Sequence, residues 1–423
     1  MTDLETPVAP AREGPWPRRA APALLGYAAV RALGLTALAL WSAARDKSAH
    51  QLLTARWDSL WYTRVAEFGY GYEVRLPNGD VHSNLAFFPL LPWLERAVSA
   101  VTPLSYADAG LLISTLASLA AAWGIFAVAD HVYGRRAGVC AVMLWAVLPV
   151  GIVQSMAYSE SLFTALAAWS LYAVLTGRWL TAGLLASFAG LTRPVGAAVV
   201  AAVWAAAIAS YVRDSSVVRD SSVVRDSSVV RDSSVVRDAS TRDSSVRERG
   251  VPAPDGAPLW RRALGMLLAP VGAAGYVLWV GQHTGQGPLG YLDVQAGWGN
   301  GFDGGYAFAR FVADKFTSFP SALAGLGLIV GVALVIWLYV ICVRQGQPLP
   351  LLVYAGIVTA LALCASSYFG SKPRLLLPAF PLLLPPALAL ARLRTARSAW
   401  VLGGVAVVSA AYGAFWLNGS GPP

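Results

Sequence analysis

Apolar residues in this chain gather into runs of roughly 20 positions, parted by short polar or basic connectors, from Ala21 to Leu417. A helix of that length crosses the hydrocarbon core of a bilayer, so each run predicts a transmembrane segment. The runs fall at about 21–43, 108–129, 137–154, 159–176, 263–282, 320–342, 349–368, 375–391 and 398–417. The stretch 179–212 is too long for one span and short for two. Arg193-Pro194 interrupts it, and proline removes a helical hydrogen bond, so a break there is expected.

Charge decides how to count that stretch. Reading it as two spans puts "HVYGRR", "TGRW", the 213–262 segment, "CVRQG" and "ARLRTAR" on one side, which is then the cytoplasm by the positive-inside rule. Reading it as one span sends the later basic connectors outward. The pattern therefore predicts an all-α, polytopic membrane protein of about eleven spans, with the N-terminus inside and residues 44–107 outside. No cleavable leader is evident, and the first run reads as a retained span.

The organisation that follows is a cytoplasmic tail at 1–20 and a membrane core at 21–212 that holds the large outer loop. A linker occupies 213–262 and the remaining spans 263–423. The linker repeats "VRDSSV" with period six, which fits neither the helical 3.6 nor the heptad, and it has no sustained apolar face. Its low complexity predicts disorder.

Composition agrees with the membrane reading. The chain has 423 residues, 56% hydrophobic and 13% charged, where a soluble domain carries about 25% charged residues. The net charge of +9 reads as cytoplasmic-loop bias; no basic-aromatic patch accompanies it, so nucleic acid is not an expected partner. The cysteines all lie in apolar runs and the histidines are scattered, which speaks against a zinc site and a disulfide framework.

The outer loop, 44–107, is far longer than a connector requires. In "RWDSLWYTRVAEFGY", residues Trp57, Leu60, Trp61, Val65 and Phe68 fall on one helical face, and Gly69 is a natural stop. Phe87, Phe88, Leu91 and Leu94 can form a second face, broken by Pro89 and Pro92. Both read as helices lying at the membrane interface with aromatics at headgroup depth. Asp58 opens the first of them. An acid in a first turn complements the helix dipole. An acid held at headgroup depth among aromatics can equally serve as a general base. Periodicity does not separate the two.

Four segments in chain order, "RWDSLWYTRVAEFGY", "NLAFFPLLP", "SMAYSESLF" and "GLTRPVG", resemble the PIG-V type mannosyltransferases of the GT-C superfamily, with a weaker echo at "KPRLLLPAFPLLLP" from Lys372. The resemblance covers about Arg56 to Val195. It departs from the family where Leu60 and Trp61 stand, since a histidine is usual there. It implies a catalytic first outer loop, a polyprenyl- or dolichyl-phosphate mannose donor, and inverting transfer on the extracytoplasmic side of the cell membrane. Asp58 matches the family's catalytic aspartate and takes the base role.

Such a transfer needs charge stabilisation for the leaving phosphate more than it needs an acid. Arg193 is the first candidate, because an arginine in an apolar stretch is costly unless paired or facing a polar cavity; snorkelling from a span end is its bland alternative. Lys372 and Arg374 follow, against ordinary loop charge. Glu160 is placed to orient the acceptor, to pair with Arg193, or to share a divalent cation such as Mg or Mn with Asp58. The sequence does not choose among these or establish a metal. His82, just upstream of "NLAFFP", could touch phosphate or be an ordinary solvated loop histidine, and Tyr158 and Trp57 could stack on a sugar or anchor the loop in the membrane. The acceptor is left open among lipid, glycan and protein. Three lysines against abundant Ala, Arg and Gly suggest a GC-rich bacterial genome. A transporter or lipid flippase is the rival reading, but it predicts inverted repeats and midplane charges, and neither is found.

Overall fold

The computed structural model describes residues 16–227, 258–366 and 368–419. The architecture is an all-helical bundle, with two small two-stranded ribbons on the loops. Among the described residues, six helices are long and apolar enough to cross a membrane: Arg18–Ala43, Tyr106–Tyr133, Pro194–Ser215, Leu259–Thr284, Ser321–Arg344 and Thr395–Leu417. A seventh is added if Phe369–Leu375 and Phe380–Arg392, bent by 71°, count as one span. The other predicted spans are shorter: Arg135–Ala146, Glu160–Leu175, Trp179–Gly190 and Leu349–Cys364. Eleven apolar segments are thus present as helices, but on length alone fewer than eleven qualify as spans. Proline-bearing breaks at 147–159, 191–196 and 376–383 shorten them. The break at Arg193-Pro194 falls where the sequence predicted it.

The helix Ala197–Ser227 runs into the repeat segment, so its first copies are helical where disorder was expected. Extending a packed helix avoids the cost of nucleating a new one. The rest of the predicted linker, 228–257, and residues 1–15 of the predicted tail lie outside the described residues.

Small residues bring the central helices close, as membrane bundles require. Tyr106–Tyr133 packs on Glu160–Leu175 so tightly that a methyl added at Gly124 would sit 2.9 Å from the Ala168 Cβ. Buried breaks expose backbone carbonyls that lipid cannot satisfy, and polar side chains take them up. Arg31 donates to Ala146 O and Gly151 O. Gln154 donates to Trp145 O at 2.8 Å, Ser409 to Leu148 O at 2.8 Å and Ser114 to Tyr158 O at 2.9 Å. Arg31 is therefore a bundle residue whose two terminal nitrogens are held by carbonyls.

The outer loop folds differently from its predicted outline. The Asp58–Phe68 helix ends at Gly69 as expected, with φ 78°. Its buried face is Ser59, Tyr62, Val65 and Ala66, while Leu60 and Phe68 of the predicted apolar face are exposed. Tyr62 and Val65 thus turn inward beside Ser59 and Ala66, and Leu60 and Phe68 stay on the outer side. Pro92 does not break the second helix, Leu90–Val101, because it lies in the first turn, where no intrahelical N–H is needed. A hairpin, Glu73–Arg75 with Val81–Ser83, was not foreseen. Backbone bonds tie the loop to the helix breaks: Ala157 N donates to Leu53 O at 2.9 Å and Leu90 N to Leu191 O at 3.0 Å.

Candidate active site

Three breaks and one helix start meet beneath the outer loop. Trp57 turns the chain with φ 49° and ψ −118°, and Asp58 opens the helix that follows. Ser59 closes the turn on itself, accepting from Arg56 N at 3.0 Å and donating to Arg56 O at 2.6 Å. The break at 156–159 presents Tyr158 and Glu160, that at 191–194 presents Arg193, and the short helix Lys372–Leu375 presents Arg374.

Their charges interlock. Arg374 Nη1 lies 2.8 Å from Asp58 Oδ2 and its Nε lies 3.2 Å from Glu160 Oε1. Arg193 Nη1 is paired with the same Glu160 oxygen. Two carboxylates and two guanidiniums thus form one neutral quartet. Charges taken out of water need such compensation, and removing one member of a buried pair costs about 3–5 kcal/mol. Glu160 is 1% exposed and Arg374 9%, whereas the Asp58 side chain is 25% exposed. Asp58 is therefore the more accessible of the two carboxylates. Arg374 Nε and Nη1 make no hydrogen bond of proper geometry. Both nitrogens are enclosed, so their contacts with the two carboxylates are charge–charge.

Aromatic side chains wall the quartet. The Arg374 guanidinium lies 5.0 Å from the Tyr158 ring centre. Tyr62 shares a 2.7 Å hydrogen bond with Ser159, and burial holds its phenol well above the ordinary value, with Arg193 opposing. Tyr62 is a neutral strut rather than a base. Neither it nor Ser159 was singled out from sequence, although Tyr62 lies one helical turn from Asp58.

The remaining candidates stand elsewhere. Lys372 points away from the quartet: its Nζ donates to Ala362 O and Ala365 O at 2.8 Å and to Leu363 O at 3.5 Å, capping the Leu349–Cys364 helix. His82 stacks on Trp298 at 4.0 Å, within a cluster that includes Trp61, Tyr72 and Phe87. Hairpin pairing sets its position, and it belongs to that aromatic cluster instead of the charged one. Trp57 carries the strained turn under the Arg56 guanidinium, 3.8 Å from its ring centre. Such backbone strain costs about 1–3 kcal/mol.

A shared divalent cation does not fit these residues. Each carboxylate already faces a guanidinium where a metal would stand, and no group of three His, Cys, Asp or Glu gathers among the described residues.

Residues 85–223, about a third of the chain, match the family model described as dolichyl-phosphate-mannose-protein mannosyltransferase. That segment contains Tyr158, Glu160 and Arg193 and leaves out Asp58 and Arg374. No curated protein matches the chain. Among solved structures it is similar to ArnT from Cupriavidus metallidurans bound to undecaprenyl phosphate, at 15% identity and TM-score 0.46, over 82% of this chain and 57% of that one. It is similar as well to the same protein in the apo state, at 14% identity and TM-score 0.46, over 84% of this chain and 68% of that one.

Proposed function

We propose that this chain is a membrane glycosyltransferase of the GT-C superfamily that takes its sugar from a polyprenyl phosphate on the extracytoplasmic face. The observation that carries this reading is the quartet: an accessible carboxylate held by an arginine that also touches a second, buried carboxylate. The match of residues 85–223 to a mannosyltransferase family supports the reaction class. It joins the sequence resemblance at the level of the superfamily.

The chemistry follows from the positions. A polyprenyl tail cannot leave the bilayer, so its phosphate and sugar stay at headgroup depth. An acceptor hydroxyl meets the sugar there and attacks C1 from the face opposite the phosphate. Its proton passes to Asp58 as the new C1–O bond forms and the bond from C1 to the phosphate oxygen breaks. The departing polyprenyl phosphate gains negative charge, which the N–H groups of Arg374 and Arg193 stabilise. Glu160 keeps both guanidiniums oriented, and Tyr158 walls the pocket for the sugar. Mannose is the proposed sugar. The proposed acceptor is a bacterial glycolipid, polysaccharide or protein.

The test is direct. Membranes containing the protein, given radiolabelled polyprenyl-phosphate mannose and a lipid extract, yield a labelled product on this account. Transport of the intact donor without new glycosidic product would instead favour a flippase.

A further inference from the structure

Arg56 precedes the turn that places Asp58, and nothing in the proposed chemistry yet uses it. Its Nη1 donates to Leu417 O at 2.7 Å and its Nη2 to Gly419 O at 3.1 Å. The first carbonyl ends the last helix, Thr395–Leu417, where no intrahelical donor remains and a cation complements the dipole, and the second lies two residues beyond it. The same guanidinium covers the Trp57 ring at 3.8 Å. Trp57 itself occupies φ 49° and ψ −118°, the conformation of the first central residue of a type II′ turn. Glycine is the usual occupant there, and a tryptophan stays only where its surroundings hold it. Two devices do so: the Ser59 hydroxyl, bonded to both backbone groups of Arg56, and the Arg56 side chain, anchored to a helix end far along the chain. Lys47 provides a natural contrast. Its Nζ binds Asn418 O of the same helix end at 2.7 Å but touches no part of the turn.

We infer that Arg56 is a positioning residue: clamped to the end of the last helix, it holds the Trp57 turn in its strained form and so fixes the Asp58 carboxylate against Arg374. The inference rests on Asp58 being the base. It assigns the last helix a part in the site, as the fixed post from which the catalytic turn is held. Losing the clamp lets the turn relax and swings Asp58 off line while leaving the phosphate-binding arginines in place.

The experiment compares Arg56→Lys, Lys47→Gln, Trp57→Gly and the double variant Trp57→Gly/Arg56→Lys in single-turnover transfer from radiolabelled polyprenyl-phosphate mannose. Folded protein is quantified by size exclusion in detergent. Arg56→Lys is expected to slow transfer roughly tenfold or more with little change in donor KM, as a small misplacement of a reacting group does. Lys47→Gln is expected to lower the thermal midpoint and keep the rate per folded molecule. Glycine adopts the turn without strain, so Arg56→Lys is expected to cost about threefold or less in the Trp57→Gly background. A rate for Arg56→Lys equal to wild type overturns the inference, as does an equal loss in both backgrounds. The double variant alone decides if Arg56→Lys does not fold: loss of folding there too means a structural clamp only. Asp58→Asn run in parallel separates the failures, because full activity in that variant removes the base itself.

Discussion

Lys372 and Arg374 stand two residues apart on one short helix, and both are buried, yet they do opposite work. Lys372 is consumed by the carbonyls at the end of the Leu349–Cys364 helix. Arg374 turns the other way and meets two carboxylates. Arg31, deep in the first span, belongs with Lys372, since carbonyls of a broken helix take its donors. A cation buried in a membrane bundle is therefore no functional signal by itself. What it faces decides whether it repairs the backbone or joins a cluster of charges.

Substitution can break that contrast or sharpen it. Arg374→Gln is expected to cut transfer by about a hundredfold or more, because it removes charge aimed at the leaving phosphate and strands Asp58. Lys372→Met is expected to lose about 2–3 kcal/mol of stability while keeping the rate per folded molecule, since it only uncaps carbonyls. Similar activity losses in the two variants would erase the distinction.

A smaller effect comes from Glu95, a buried carboxyl whose two oxygens have no partner. Burial holds its proton affinity well above the ordinary carboxylate range. The folded state keeps that proton longer than the unfolded one, so stability is full at low pH and falls as pH rises past the ordinary carboxylate value. The slope is about 1.4 kcal/mol per pH unit for one group. Glu95→Gln is expected to flatten this part of the profile in thermal unfolding between about pH 5 and about pH 7. An unchanged slope would contradict a buried neutral acid. The smallest change is expected for His82→Ala, which loses a stack on Trp298 and lowers transfer by less than about threefold.

Much of this was legible in the sequence for physical reasons that can be named. Long apolar runs and the Arg193-Pro194 break announced the helices, because bilayer thickness and proline's missing donor leave few alternatives. Asp58 and Arg193 drew notice as charges set among aromatic or apolar residues, and Glu160 and Arg374 through segments of the family resemblance at predicted span ends. The Glu160–Arg193 pair was among the expectations, but the contacts of Arg374 with both carboxylates were not legible. The Asp58–Arg374 contact joins distant parts of the chain, and the opposed directions of Lys372 and Arg374 depend on a helix break that periodicity does not reveal. Asn78-Gly79 did carry a hairpin signal, with Gly79 at φ 91°, which went unread among the loop's aromatics. Arg56 looked like one basic residue in a motif, and only the position of the last helix gives it a partner.

The central claim is that the Asp58 carboxylate takes the acceptor's proton. Single-turnover transfer by Asp58→Asn, in protein shown to fold and to bind the polyprenyl-phosphate donor, tests it most directly. The account predicts intact donor binding with transfer reduced by about a hundredfold or more. Transfer at the wild-type rate in that variant would contradict it.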